Sequence, residues 1–319
     1  MHPNRTLARL YNVIRLLAVL PLAASLALAQ APKVGDINFY GLHKVTPDEL
    51  LAMIALHPGD PIPRSKGDLE QRIAEYPAVT DARVEAVCCQ GPNAALFIGV
   101  EEAGAPRFET RSEPSGNGVL PEEILERYHD YMAAIARVPG AEVPRQETAF
   151  VAFAADQLTL LRDVLRESSE PDQRAAAAIL IAYAPKKAAI LGDLQYALKD
   201  PDDTVRANAI RSLRRIAPGL KVDPAVLVEM LDSIALSDRV QAAQALVALT
   251  EQRDRATLDA VRERGLPALA EMARWKTSDY AMPAFVLLGR SAGIVEPQIQ
   301  DAWRKGDREP VIRKATGER

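Results

Sequence analysis

Few side chains in this 319-residue sequence have the types and spacing for covalent chemistry. The two cysteines, Cys88 and Cys89, are adjacent. In an extended strand they point to opposite faces. A bond between them requires a strained local backbone, because standard disulfide separations exceed one residue step. Three states follow: two thiols without catalytic work, a vicinal disulfide, or a bond to another chain. The pair lacks the two intervening residues of a redox Cys-x-x-Cys motif. His43, His57 and His129 are far apart in sequence, which does not give a zinc-ligand spacing. The sequence contains no glycine-rich phosphate loop, no His-Glu-x-x-His motif and no Gly-x-Ser-x-Gly elbow. Carboxylates are plentiful, but they fall at helix starts or on polar faces and no pair stands out. The expectation is no catalytic residue, no cofactor and no metal.

Recognition chemistry is better represented. Arg206, Arg211, Arg214, Arg215 and Lys221 occur with no acidic residue between Asp203 and Asp223. Arg211, Arg214 and Arg215 share one helical face. Such a patch suits an acidic protein or an anionic lipid surface; the alternative is a merely solvated face. Trp275 and Trp303 stand beside Lys276 and Arg304. Tryptophan is a common binding anchor, and the alternative for each is a half-buried core position. Nucleic acid fits neither the net charge of −4 nor an exported chain.

The first region that must position these groups runs from residue 30 to 102. Val34, Ile37 and Phe39 form a short strand closed at Tyr40-Gly41. Thr46 caps the next helix, Pro47 fits its first position and Glu49 completes a capping box. Ser65 with Asp68 caps a second helix, which Pro77 ends. The stretch from Asp81 to Cys89 then alternates, with Val84, Ala86 and Cys88 on one face, and Ala95 to Glu101 returns. Strand, helix, helix, strand, strand is an α+β arrangement.

The ordered segments Ile37–Gly41, Val45–Leu50, Leu56–Asp60, Tyr76–Val84 and Phe97–Glu102 resemble a POTRA domain, the polypeptide-transport-associated module of outer-membrane assembly and some division proteins. The resemblance implies protein binding, with the Asp81–Cys89 strand at a sheet edge open to a partner strand. Val84, Ala86 and Cys88 are then the contact candidates. The alternative is an edge covered by the neighbouring helical region. No alternating barrel strands follow Glu102, so this chain alone is not expected to form a channel.

Residues 103–118 carry Gly104, Pro106, Pro114, Gly116 and Gly118, which break regular structure. This is a tether or a surface-packed connection. From 119 to 319 the periodicity is helical. A long helix is expected from about Arg145 to Glu167. Arg174 and Arg206 are 32 residues apart, each with alanine three positions on and an aliphatic residue seven on. Ser237-Asp238-Arg239-Val240 begins a looser copy. Asp200 and Asp223, each before proline, are expected helix caps. Alanine lets stacked helical pairs approach closely, and neighbouring pairs complete each other's core. The start at Asp202 to Arg206 resembles HEAT or HEAT-like repeats, clearest over residues 171–252. The fold class expected is thus a small POTRA-like α+β domain joined to an all-α, HEAT-like α-solenoid.

The N-terminus completes the reading. Arg5, Arg9 and Arg15 precede the 14-residue apolar run Leu16–Ala29, with small residues at Ala27 and Ala29. This is the pattern of a cleavable signal peptide over residues 1–29, too short to span a membrane that needs about 20 residues. Cleavage after Ala29 takes the formal charge from −4 to −7. The expected protein is an exported, periplasmic, non-enzymatic scaffold that binds other proteins of the envelope, with any membrane contact indirect. The alternatives are an accessory factor in outer-membrane protein assembly or division, and an enzyme with an interdomain carboxylate site.

Overall fold

The computed structural model describes residues 32–90, 93–137 and 144–318; the expected signal peptide lies outside these. Strand β1 (Lys33–Tyr40) leads into helix α1 (Pro47–Ile54). Thr46 and Glu49 cap α1 reciprocally, with Pro47 in its first turn. Helix α2 (Lys66–Ala74) starts where the Ser65 hydroxyl accepts the Asp68 amide. Strands β2 (Val79–Gln90) and β3 (Asn93–Glu102) follow, giving the expected strand-helix-helix-strand-strand order. The sheet order is β1-β3-β2, with β1 parallel and β2 antiparallel to the central β3.

β3 is apolar on both faces because both are covered. Leu96, Ile98 and Val100 join Val84, Leu50, Leu69 and Ile73 in a core beneath the two small helices. Ala95 and Phe97 point the other way and join the core of the helical region. At Gly99, next along this face, an added Cβ would lie 2.7 Å from the Tyr40 ring and from the Ile234 carbonyl oxygen. Only glycine allows the helical region to approach the sheet so closely. Residues 32–319 thus form a single compact unit.

Of the two alternatives for residues 103–118, the structure has the packed connection. The Arg111 amide donates to the Lys199 carbonyl, and Gly116 pairs with the chain at Glu167 and Ser169. Phe108 is buried.

The helical region comprises α3 (Glu122–Arg137), α4 (Pro144–Asp156), α5 (Leu158–Glu167), α6 (Pro171–Leu180), α7 (Lys187–Ala197), α8 (Asp203–Ile216) and α9 (Ala225–Glu229). Then come α10 (Leu236–Leu249), α11 (Arg255–Ala260), α12 (Leu266–Ala273), α13 (Ser278–Ser291), α14 (Glu296–Lys305) and α15 (Glu309–Thr316). The long helix expected over 145–167 is two helices, broken where Gln157 adopts φ −117°, ψ 31°. The second helix of the next repeat is short, with α9 passing into a 3-10 turn at Met230–Asp232.

α6, α8 and α10 stack side by side as the repeat core. Their alanines Ala175–Ala178, Ala209, Ala242, Ala243 and Ala245 are buried. Each helix also buries an arginine. Arg174 donates from Nη1 to the carbonyls of Ser168 and Ser169, and from Nη2 to Asp200 at 2.9 Å. Arg206 repeats this, with the Asp200 and Pro201 carbonyls and Asp238 as acceptors. Arg239 does so with the Ser233 carbonyl and Glu271. Each guanidinium thus satisfies carbonyls of the turn before its helix and reaches a carboxylate of the next repeat. Asp200 is therefore not the expected cap. Its carboxylate is used by Arg174, and α8 is capped by Asp202, which accepts the Thr204 and Val205 amides. Asp223 accepts the Ala225 amide at 3.0 Å beside the start of α9, whose cap position is occupied by Pro224.

Candidate protein-binding surfaces

The first candidate surface is the outer edge of β2, which among the described residues pairs only with β3. Val84 does not belong to a contact surface: its side chain is 2% exposed, because this face of the strand packs on α2. Its amide donates to Glu70 Oε1 at 2.7 Å, and the Ala82 amide donates to Asp81 Oδ1 at 2.8 Å. Two edge donors that a partner strand needs are therefore already occupied, a common protection of exposed edges. Ala86 is exposed and its amide has no such carboxylate among the described residues. Cys88 is exposed and disulfide-bonded, which removes the two-thiol alternative. The side chain of Cys89 lies outside those described. The available part of the edge among the described residues is thus at Ala86.

On its inner face β2 is bound to the solenoid. Arg83 Nη2 lies 2.6 Å from Asp203 Oδ2, and the Leu236 amide donates to Glu85 Oε1. The helical region covers this face of the sheet and leaves the outer edge at Ala86 open.

The arginine candidates separate into two kinds. Arg206 is 4% exposed and is spent inside the repeat, so it cannot meet a partner. Sequence proximity alone places it with Arg211, Arg214 and Arg215, and the helical turn puts it on the opposite side. Arg211, Arg214 and Arg215 are exposed on α8. Arg214 donates to the neutral Gln244 amide oxygen at 3.3 Å. Arg215 stacks over the Tyr183 ring at 4.2 Å and pairs with Glu147 at 2.9 Å. Lys221 is exposed beyond the helix end.

Trp275 is also not a surface anchor. It is 3% exposed, edge-on to Phe97 at 5.1 Å and to Tyr40 at 5.8 Å. It is the aromatic centre of the joint between sheet and solenoid. Trp303 is half-buried, against Phe285 at 5.3 Å and beneath the Arg308 guanidinium at 4.0 Å. Both tryptophans pack against aromatic neighbours, and Trp275 alone is enclosed.

The joint is polar at its rim. The Tyr40 hydroxyl donates to the Ile234 carbonyl at 2.7 Å, and burial pushes the Tyr40 phenol well above its ordinary range. The Gly41 amide donates to both Glu271 oxygens, at 3.0 and 3.1 Å. Gly41 has φ +80°, and an added Cβ would meet the Val100 carbonyl oxygen at 2.3 Å, so the turn requires glycine. A cleft of about 200 Å³ opens beside it, lined by His43, Asp232, Arg239, Arg264 and Glu271. Burial pushes both Glu271 and Asp232 upward, against the pull of Arg239. Their oxygens are engaged, Glu271 by Gly41 and Arg239 and Asp232 by Arg264 at 3.5 Å. The arrangement fastens two elements together. Sequence reasoning missed this clasp, although Glu271 follows Arg239 by the same 32 residues that separate Asp238 from Arg206.

Among the described residues no cluster of His, Cys, Asp and Glu is arranged to hold a metal, and no helix is long and apolar enough to cross a membrane. A wider groove of about 620 Å³ lies between α3 and α4, floored by Ile124, Ala149 and Phe153. No curated protein matches the chain. The HEAT repeats family model matches residues 158–247, which run from α5 through most of α10 and contain Arg174, Arg206 and Arg239.

Proposed function

We propose that this protein is a non-enzymatic scaffold of the cell envelope that binds polypeptides through its helical-repeat surface and the free part of its sheet edge. HEAT repeats are commonly protein-interaction scaffolds, which supports the coarse reading. The observation that carries it is the docking of the sheet on the repeats through Trp275, Phe97, Tyr40 and the Gly41–Glu271 clasp. The joint fixes two potential contact surfaces in one frame. A rigid frame lowers the ordering cost of holding two polypeptides together.

The envelope setting rests on the signal-peptide pattern of residues 1–29 and on the POTRA-like order of segments in residues 30–102. In that setting the partners are envelope proteins, and the two processes the resemblance suggests are outer-membrane protein assembly and division. Strand addition is the mode for the sheet, where main-chain pairing gives affinity. It is centred on Ala86, because Glu70 and Asp81 hold the amides before it.

The test is crosslinking in cells, with a photoreactive residue placed in the full chain at Ala86, at Arg211 or at the control position Arg255. Discrete adducts to the same identified envelope proteins at Ala86 and Arg211, absent at Arg255, are expected. Adducts no stronger than at Arg255 overturn the scaffold reading. The export reading has its own check: the mature protein should begin at Gln30, and an intact N-terminus in the membrane fraction overturns it. Ala86→Pro removes the edge amide at a position open to solvent and should abolish capture at the sheet.

A further inference from the structure

We infer that the exposed basic ridge at the C-terminal half of α8 is a docking site for a short acidic segment of a partner polypeptide. The inference rests on the scaffold reading and names the chemistry of one of its partners. Arg211, Arg214 and Arg215 stand at positions i, i+3 and i+4 of α8, which places them on one face. Lys187, at the start of α7, is close enough for Arg215 to disfavour its charge, although burial is the larger cause of its depressed pKa. Lys186 beside it is exposed.

Charge on this ridge is largely uncompensated. Among the described residues Arg211, Arg214, Lys186 and Lys187 have no carboxylate partner, and Glu147 answers Arg215 alone. Arg214 meets the amide oxygen of Gln244, and Lys187 meets the carbonyls of Ala182 and Ala184. These are neutral acceptors. Several other arginines are paired: Arg162 and Arg166 share Asp193, Arg264 reaches Asp232, and Arg274 holds both Glu309 and Glu318; Arg72 and Arg308, which bond only to carbonyls, stand singly and do not form a cluster. A cluster of like charges left unpaired in a chain of net charge −4 raises the local potential and attracts carboxylates. Arg215 is also pre-oriented by its stacking on Tyr183 and its bond to Glu147, so less freedom is lost when its neighbours engage a ligand.

The extent of the ridge selects a short acidic peptide. It is bounded in sequence by Asp203 at the start of α8 and by Asp223 after it. An extended polyanion or a lipid surface would run past the ridge into the acidic remainder. A lipid-binding ridge also needs apolar side chains that enter the bilayer. The exposed large hydrophobic residues described are Val119, Val151 and Val295, none of them on α8. Carboxylates spaced by two or three residues match the guanidinium planes, which bind them in bidentate fashion.

The test uses the purified full chain and a fluorescein-labelled peptide of alternating glutamate and serine, with an alternating lysine and serine peptide as control. Fluorescence anisotropy should show saturable binding of the acidic peptide, weakened by salt, and none of the basic one. Arg211→Glu with Arg214→Glu should weaken binding at least tenfold, with an unchanged circular dichroism spectrum and unfolding midpoint. Arg255→Glu, on a separate exposed helix start, should leave binding unchanged. No saturable binding to the wild-type chain overturns the inference, as does equal affinity for the double variant. Stronger binding to vesicles of anionic phospholipid than to the peptide overturns it in favour of a membrane surface. Absence of peptide binding by the wild-type chain while crosslinks at Ala86 persist defeats this inference and leaves the scaffold standing; failure of every crosslink defeats the scaffold.

Discussion

The Arg206 guanidinium and the Asp238 carboxylate meet at 2.8 Å, each at most 5% exposed, across the boundary between two repeats. Ser233 donates a further hydrogen bond to the same carboxylate. Burial pushes the Asp238 carboxyl upward, with Arg206 pulling it back. Truncating one member of such a pair strands the other charge in the interior, which costs about 3–5 kcal/mol. Arg206→Ala or Asp238→Ala should each lower the denaturation midpoint strongly. Replacing both together by apolar residues of similar volume should recover much of the loss. A double variant no better than the single ones would show that the pair contributes through more than mutual neutralisation.

The clasp makes a local prediction. Glu271→Ala removes the acceptor of the Gly41 amide and one partner of Arg239. Loss of hydrogen bonds to a charged group costs on the order of 2–3 kcal/mol. Hydrogen-exchange mass spectrometry should show faster exchange at residues 40–43, with protection in α6 and α8 unchanged. Gly41→Ala should be worse than a usual loop substitution, because it combines a positive φ with a backbone clash.

The aromatic joint is testable by truncation. Trp275→Ala leaves Tyr40 and Phe97 facing a cavity, for about 3–5 kcal/mol. Limited proteolysis should then cut within residues 32–102, while residues 103–118 stay held on the helical region by the Arg111 and Gly116 hydrogen bonds. Resistance equal to that of the wild-type protein would place the holding energy elsewhere along the joint.

Glu102 gives a pH dependence. Burial raises this carboxyl, but the amides of His43, Val45 and Lys44 donate to it and hold it below the usual carboxylate range. A folded-state pKa below the unfolded one means that the unfolded chain binds the proton more readily. The contribution is therefore complete above about pH 4.3, the ordinary glutamate value, and is lost as the pH falls through the lower folded value. Glu102→Gln should cost about 2 kcal/mol at pH 6. The gap from wild type should narrow as denaturation is repeated towards pH 3; a constant gap would rule out this carboxylate as its source.

Much of the local structure was legible in the sequence because its causes are local. Thr46-Pro47-Asp48-Glu49 specifies a helix start by what its own side chains do to its own amides. The alternation from Asp81 to Cys89 specifies a strand because side-chain direction has period two. The 32-residue step from Arg174 to Arg206 announced the repeat. Local pattern failed where a distant group intervened. Asp200 before proline has the form of a cap, yet Arg174 from the preceding repeat claims its carboxylate. Arg206 lies within a basic run, yet Asp238, 32 residues away, draws it inward. Which strand of the sheet would be covered on both faces was also undecided by sequence, since an apolar run such as Ala94–Val100 serves equally against helices of its own domain or of another. Only the tertiary structure brought Trp275 to Phe97 and Gly41 to Glu271, because contacts across more than 170 residues depend on how the repeats curve and which end meets the sheet. That same packing decided which residues stay outside, and left Ala86, Arg211 and Arg214 available while it enclosed Val84, Arg206 and Trp275.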